Sequence, residues 1–200
     1  MDEDFDAILE MAREQIAGGA HTLDVSVALT ERPDEQYLME KVVKKLAMGI
    51  EAPLVIDTTE PAVMEAALKL APGRCLLNST HLEAGRPKLD EVLSLAKAHN
   101  AAVLILTIDE DGMAKTVERK IEIAKRIYDI AVNEYGFRPA DLVYDVLTFL
   151  LSTGDDEFAD SAVATIEAIR QIKAERPGVL TSLGVSNVSF GLSKGARPVL

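Results

Sequence analysis

Four apolar segments of this chain end on an aspartate or an asparagine. P-L-V-I-D closes on Asp57, C-L-L-N on Asn78, I-L-T-I-D on Asp109 and L-V-Y-D on Asp145. Asn187 follows L-G-V-S in the same manner, and Asp24 sits inside T-L-D-V-S-V. A carboxylate only accepts hydrogen bonds, whereas an amide both donates and accepts. Such a set complements a ring that carries an amino group, a ring N–H and a carbonyl. The chain offers no Ser-His pair, no lysine within a strand and no phosphate loop. Holding a polar heterocycle therefore suits these residues better than covalent catalysis. Taken singly, each has a simpler reading as a helix cap or turn residue. Asp57 precedes T-T-E-P, and Asp109 opens the ready turn D-E-D-G.

The elements that position these residues alternate strictly. Helical apolar spacing runs over 5–18 and stops at Gly18-Gly19. Strand 22–27 follows, then helix 34–49, strand 53–57, helix 61–70 opened by Pro61, and strand 74–78. Helix 87–99 leads to strand 102–109, helix 115–135, strand 142–145, helix 156–175 and strand 179–185. The strands are short and almost wholly apolar, as strands buried on both faces of a parallel sheet are. Alternating strands and helices fit right-handed crossover units. No G-x-G-x-x-G follows a strand, which argues against a dinucleotide fold. The expectation is an α/β chain: a (β/α)8 TIM barrel, truncated at both ends, with about six strands in one domain over 1–200. In such folds the strand C-termini share one face, and that face holds the site.

Composition narrows the function. Net charge is −12 over 200 residues. Nucleic acid repels such a surface, because its affinity comes from Lys and Arg on phosphates. No apolar run is long enough to span a membrane, and the acidic start M-D-E-D-F-D is unlike a signal peptide, so a cytoplasmic location is expected. The lone Cys75 reads as a buried structural residue. His21, His81 and His99 lack metal-ligand spacing, so no metal site is expected. Met39, Met48 and Met64 read as core gap-fillers. Asp155-Asp156-Glu157 reads as the acidic start of a helix.

The segments L-D-V-S, V-I-D-T-T, C-L-L-N-S, T-I-D-E-D-G-M-A, Y-D-V-L-T-F and above all L-G-V-S-N-V-S-F resemble the pterin-binding methyltransferase family. That family includes the methyltetrahydrofolate-binding domain of cobalamin-dependent methionine synthase and the methyltetrahydrofolate:corrinoid methyltransferases. The likeness covers nearly the whole chain in order. It implies a barrel binding methyltetrahydrofolate at the strand C-termini, with Asp57, Asn78 and Asp145 on the pterin. Asp109 joins them as a substrate-binding candidate from its strand-end position. The resemblance places Asn187 near N5, where it takes the catalytic role of stabilising the protonated nitrogen as the methyl leaves. The acceptor it implies is cobalamin on a partner domain or protein, with tetrahydrofolate as product. Lys194 and Arg197 could meet the anionic folate tail, or simply belong to a solvated loop. The chain departs from the family at Asp145-Val146-Leu147, where D-P-N is common, and at Asp24-Val25-Ser26, where D-V-N is common.

Three other readings stay open. Dihydropteroate synthase shares the fold, and T-E-R-P at 30–33 faintly resembles its loop. That enzyme carries a lysine near the end of its seventh strand, however, where this chain has S-N-V. The chain could instead be a non-catalytic barrel fragment that binds pterin or only docks a corrinoid protein. It could also be a plain α/β protein in which every strand-end Asp and Asn is a cap. Open sheet edges would favour homo-oligomers.

Overall fold

A computed structural model describes residues 3–30, 32–150, 160–192 and 195. Six strands form one sheet, in the order Leu23–Val25, Leu54–Asp57, Leu76–Thr80, Ala102–Leu106, Leu142–Asp145 and Leu180–Ser182. They are parallel, and the expected α/β partial barrel with six strands is what the chain forms. The described residues cluster into two compact units, Met1–Thr80 with Glu91–Val103, and His81–Asp90 with Leu104–Leu200.

The first unit opens with α1 (Phe5–Ala17), whose first turn is capped by the Asp4 carboxylate accepting from the Ala7 N–H at 3.0 Å. β1 (Leu23–Val25), α2 (Glu35–Ala47), β2 (Leu54–Asp57), α3 (Pro61–Leu70) and β3 (Leu76–Thr80) follow. α4 (Arg86–Ala98) enters this unit from Glu91 and leads into β4 (Ala102–Leu106). α2 buries Leu38, Met39, Val42, Val43 and Leu46, one stripe at helical spacing. α3 lays Val63, Met64 and Ala67 inside beside it. Register is fixed by the buried apolar positions of neighbouring strands: Val25 pairs with Ile56, and one step on from buried Leu77, Asp57 pairs with Asn78. Met39 and Met64 fill the core as expected, but Met48 is 74% exposed. It caps the C-terminus of α2, just past the last buried position of the stripe.

In the second unit β5 (Ile108–Asp109) and β6 (Gly112–Met113) form a separate antiparallel hairpin. The single strand expected over 102–109 therefore breaks at Thr107, and D-E-D-G makes the turn it was read as. α5 (Val117–Asp129) widens into a π-turn over Ile130–Glu134 and stops at Gly136, whose φ of +66° favours glycine. β7 (Leu142–Asp145) runs where expected. α6 (Ser161–Glu175), β8 (Leu180–Ser182) and the one-turn α7 (Ser186–Ser189) complete the order. β8 is shorter than the expected 179–185, and Asn187 lies in α7 rather than directly on a strand end. Fully buried Tyr144 ties β7 to α5 by donating to the Ala124 carbonyl at 3.2 Å. Asp155, Asp156, Glu157, Lys194, Arg197 and Glu31 of T-E-R-P lie outside the described residues.

Candidate functional site

Each unit carries its own group of polar strand-end side chains. In the first unit, β2 and β3 set Asp57 and Asn78 side by side as register partners. Asn78 lies in the middle of β3 rather than at its end, because pairing continues to Thr80. Its amide Nδ2 donates to Asp24 Oδ2 at 3.3 Å. Partial burial raises the Asp24 carboxyl above its ordinary range, the Asp57 charge adds to the effect, and the Asn78 amide opposes it. Asp24 is exposed, so solvent screens its interaction with Asp57. The half-buried Asp57 carboxylate takes no hydrogen bond or ion pair among the described residues. Asp57 does not cap α3: the N-cap is Glu60, and Pro61 occupies the first turn. The neighbouring Thr58 hydroxyl donates to Glu35 Oε1 at 2.5 Å, which anchors the segment after β2 onto α2. The clefts of this unit lie largely apart from the set. One of about 290 Å³, lined by Phe5, Ile8, Leu29 and Leu38, contains none of the strand-end residues.

In the second unit Asp145 ends β7 opposite Ser182 of β8. Its Oδ1 accepts from the Leu147 N–H at 2.8 Å and its Oδ2 from the Gly184 N–H at 3.1 Å. Two main-chain donors on different elements thus fix the plane of the carboxylate. Asn187 approaches the same glycine. A Cβ on Gly184 would stand 3.2 Å from Asn187 Nδ2 and 4.0 Å from Asp145 Oδ2. Gly184 therefore lets the amide and the carboxylate draw near one backbone position. Asn187 itself is exposed.

Asp109 is placed differently. It starts the hairpin turn, accepts from the Asp111 N–H at 3.2 Å and meets the Arg119 guanidinium at 2.6 Å. Its side chain is buried. Both carboxylate oxygens are engaged, Oδ1 by the hairpin turn and Oδ2 by Arg119 of α5.

Sequence reasoning missed Lys120. It is fully buried, and its Nζ donates to the Val146 carbonyl and, at 3.0 Å, to the Leu147 carbonyl. Burial pulls its amine down to about 8, against an opposing pull from Asp145. The signal was present in α5. Lys120, Ile123, Ala124 and Ile127 form one buried stripe, and the helical period puts the lysine on its apolar face. Thr80 and Thr107 also carry buried hydroxyls without a partner among the described residues. The same residues contain no cluster of three His, Cys, Asp or Glu suited to a metal ion. No described helix is long and apolar enough to cross a membrane.

Parallel strands followed by helices, with Asp57 and Asp145 at strand C-termini, define a barrel-type α/β protein. The sequence model of the family described as pterin binding enzyme matches residues 1–197, and the chain belongs to that family. It is 39% identical over 99% of its length to the methionine synthase of Mycobacterium tuberculosis, and equally to that of Mycobacterium leprae. It spans 17% of the length of each. Among solved structures, a dihydropteroate synthase from Clostridium difficile with pteroic acid has a TM-score of 0.67 at 21% identity, over 92% of this chain and 68% of that one. The Xanthomonas albilineans enzyme with 7,8-dihydropteroate gives 0.58 at 17%, over 90% and 79%. At these identities the likeness concerns the fold.

Proposed function

We propose that residues 1–200 form the methyltetrahydrofolate-binding barrel domain of a cytoplasmic corrinoid-dependent methyltransferase acting in methionine synthesis. One observation carries this reading: the kinship to methionine synthase runs through the whole chain, and Asn187 rather than a cation follows its last strand. Asp57, Asn78 and Asp145 hold the pterin by its amino group, ring N–H and carbonyl. Asn187 stands by N5. Cob(I)alamin on another domain or protein would accept the methyl; the N5–methyl bonding pair would stay on N5, which would be protonated from solvent water. The Asn187 amide hydrogen-bonds that protonated nitrogen. The chain contributes positioning and electrostatics and forms no covalent intermediate. An anionic leaving group such as pyrophosphate calls for a cation where Asn187 stands, which disfavours synthase chemistry.

Calorimetric titration with methyltetrahydrofolate tests this proposal. Micromolar binding is expected for the wild type, and Asp57→Ala should weaken it by about 1–3 kcal/mol, the cost of one buried polar partner. A folded wild type that binds no methyltetrahydrofolate refutes the proposal.

A further inference from the structure

We propose that Lys120 is a positioning residue for Asp145, acting through the main-chain turn that follows β7. The ligand half of this inference rests on the pterin reading above; the structural half does not.

The turn is unusual for its sequence. Leu147 has φ +63°, a left-handed conformation that a side chain other than glycine adopts only under strain. Such a conformation persists when its surroundings over-determine it. Here three groups do so. The Leu147 N–H is held by Asp145 Oδ1, and its carbonyl accepts from Lys120 Nζ and, at 2.8 Å, from Thr165 Oγ1. Lys120 also takes the preceding carbonyl, of Val146. The lysine therefore grips two consecutive peptide units of the turn whose N–H orients the Asp145 carboxylate.

A buried ammonium is an expensive way to satisfy two carbonyls. Lys120 makes no ion pair among the described residues, and its remaining neighbour is the Phe149 ring, 5.4 Å from Nζ. A threonine or serine hydroxyl would serve the carbonyls at far lower desolvation cost. What the ammonium adds is charge-assisted bonding, which holds the turn more stiffly than a neutral donor does. It also places a positive charge beneath a carboxylate that must stay aimed at its ligand.

Two measurements test this. The first is amide hydrogen exchange in the absence of ligand, comparing wild type with Lys120→Met, which keeps chain length and removes the amine. The Leu147 and Gly184 amides, both donors to Asp145, are expected to exchange at least ten times faster in the variant, with β7 and α5 amides unchanged. Uniform acceleration, or none, overturns the positioning role. Thr165→Val, which removes the second grip on the Leu147 carbonyl, should loosen the Leu147 amide in the same way. It serves as the probe if Lys120→Met does not fold.

The second measurement is a cycle of methyltetrahydrofolate dissociation constants for wild type, Lys120→Met, Asp145→Asn and the double variant. Loss of the amine should weaken binding about tenfold beside Asp145 and less than twofold beside Asn at 145. Equal weakening in both backgrounds would assign Lys120 a purely structural role and refute the inference. A wild type that does not bind methyltetrahydrofolate sinks the proposed function alone, because the exchange data then decide the positioning role by themselves.

Discussion

The buried amine of Lys120 should leave a mark on stability against pH. Its proton leaves at about 8 in the folded chain, against the ordinary 10.5. Below pH 8 both folded and unfolded chains hold that proton, so Lys120 contributes no slope. Between 8 and 10.5 the unfolded chain keeps the proton and the folded chain has released it. The unfolded state then binds more protons, so stability rises with pH across this window. Equivalently, the contribution is fully present above 10.5 and is lost as pH falls through 8. At about 1.36 kcal/mol per pH unit the window is worth about 3 kcal/mol. The assay is urea unfolding of wild type and Lys120→Met at half-unit steps from pH 7 to 10.5. Every other group is common to the two proteins and cancels in the difference. With a slope of about 2–3 kcal/mol/M, the wild-type midpoint should gain about 1 M urea relative to the variant. A difference constant to about 0.5 kcal/mol over that range would show the amine to be solvated, and the reasoning from burial would fail. At pH 7 the variant escapes the ammonium's desolvation cost but leaves two carbonyls short of a donor, at about 1–3 kcal/mol each. The two effects oppose, which is why Lys120→Met is expected to remain folded.

Two further outcomes test the assignments around the site. Arg119→Ala leaves the buried Asp109 carboxylate without its guanidinium; because Arg119 is itself 36% exposed, the cost should be about 1–3 kcal/mol in a thermal melt, with the methyltetrahydrofolate dissociation constant unchanged. Met64→Ala should cost about 2–5 kcal/mol by urea unfolding, whereas Met48→Ala should stay within about 0.5 kcal/mol, since only the first side chain fills core volume.

Much of the frame was legible because local signals and burial agree. α3 begins at Pro61, which a first helical turn favours, and β7 is the apolar run Leu142-Val143-Tyr144 closed by Asp145, with the helix-breaking Pro139 shortly before it. Where they disagree, burial pattern alone misleads. I-L-T-I-D looks like one strand, yet Ile108 and Asp109 leave the sheet, because D-G two residues on favours a tight hairpin over continued parallel pairing. The polar Thr107 inside that run was the warning. L-G-V-S-N looks like a strand reaching Asn187, but Gly184 ends the extended segment, and its carbonyl accepts from the Asn187 N–H at 3.0 Å to start α7. Lys120 was on an apolar stripe, and its charge hid it. The left-handed Leu147 had no sequence signal at all, since leucine is a poor occupant of that region. Its conformation follows from the side chains that hold it, which lie 27, 2 and 18 residues away along the chain.

The strand-end acids differ in what they have left to offer a ligand, and this separates them better than their positions do. An ionised carboxylate has about four lone-pair sites. Asp109 gives its oxygens to a turn N–H and to a guanidinium within buried surroundings, so a ligand would first have to displace a charge. Asp145 gives one site on each oxygen to a main-chain N–H and keeps the rest, with its plane already fixed. A bidentate partner presenting an amino group beside a ring N–H needs that remainder, and it meets a carboxylate that has little rotamer freedom left to lose. Asp57 gives no acceptor site to any described residue. Three aspartates that look alike at the ends of three apolar runs thus differ in how much acceptor capacity the described residues take from them.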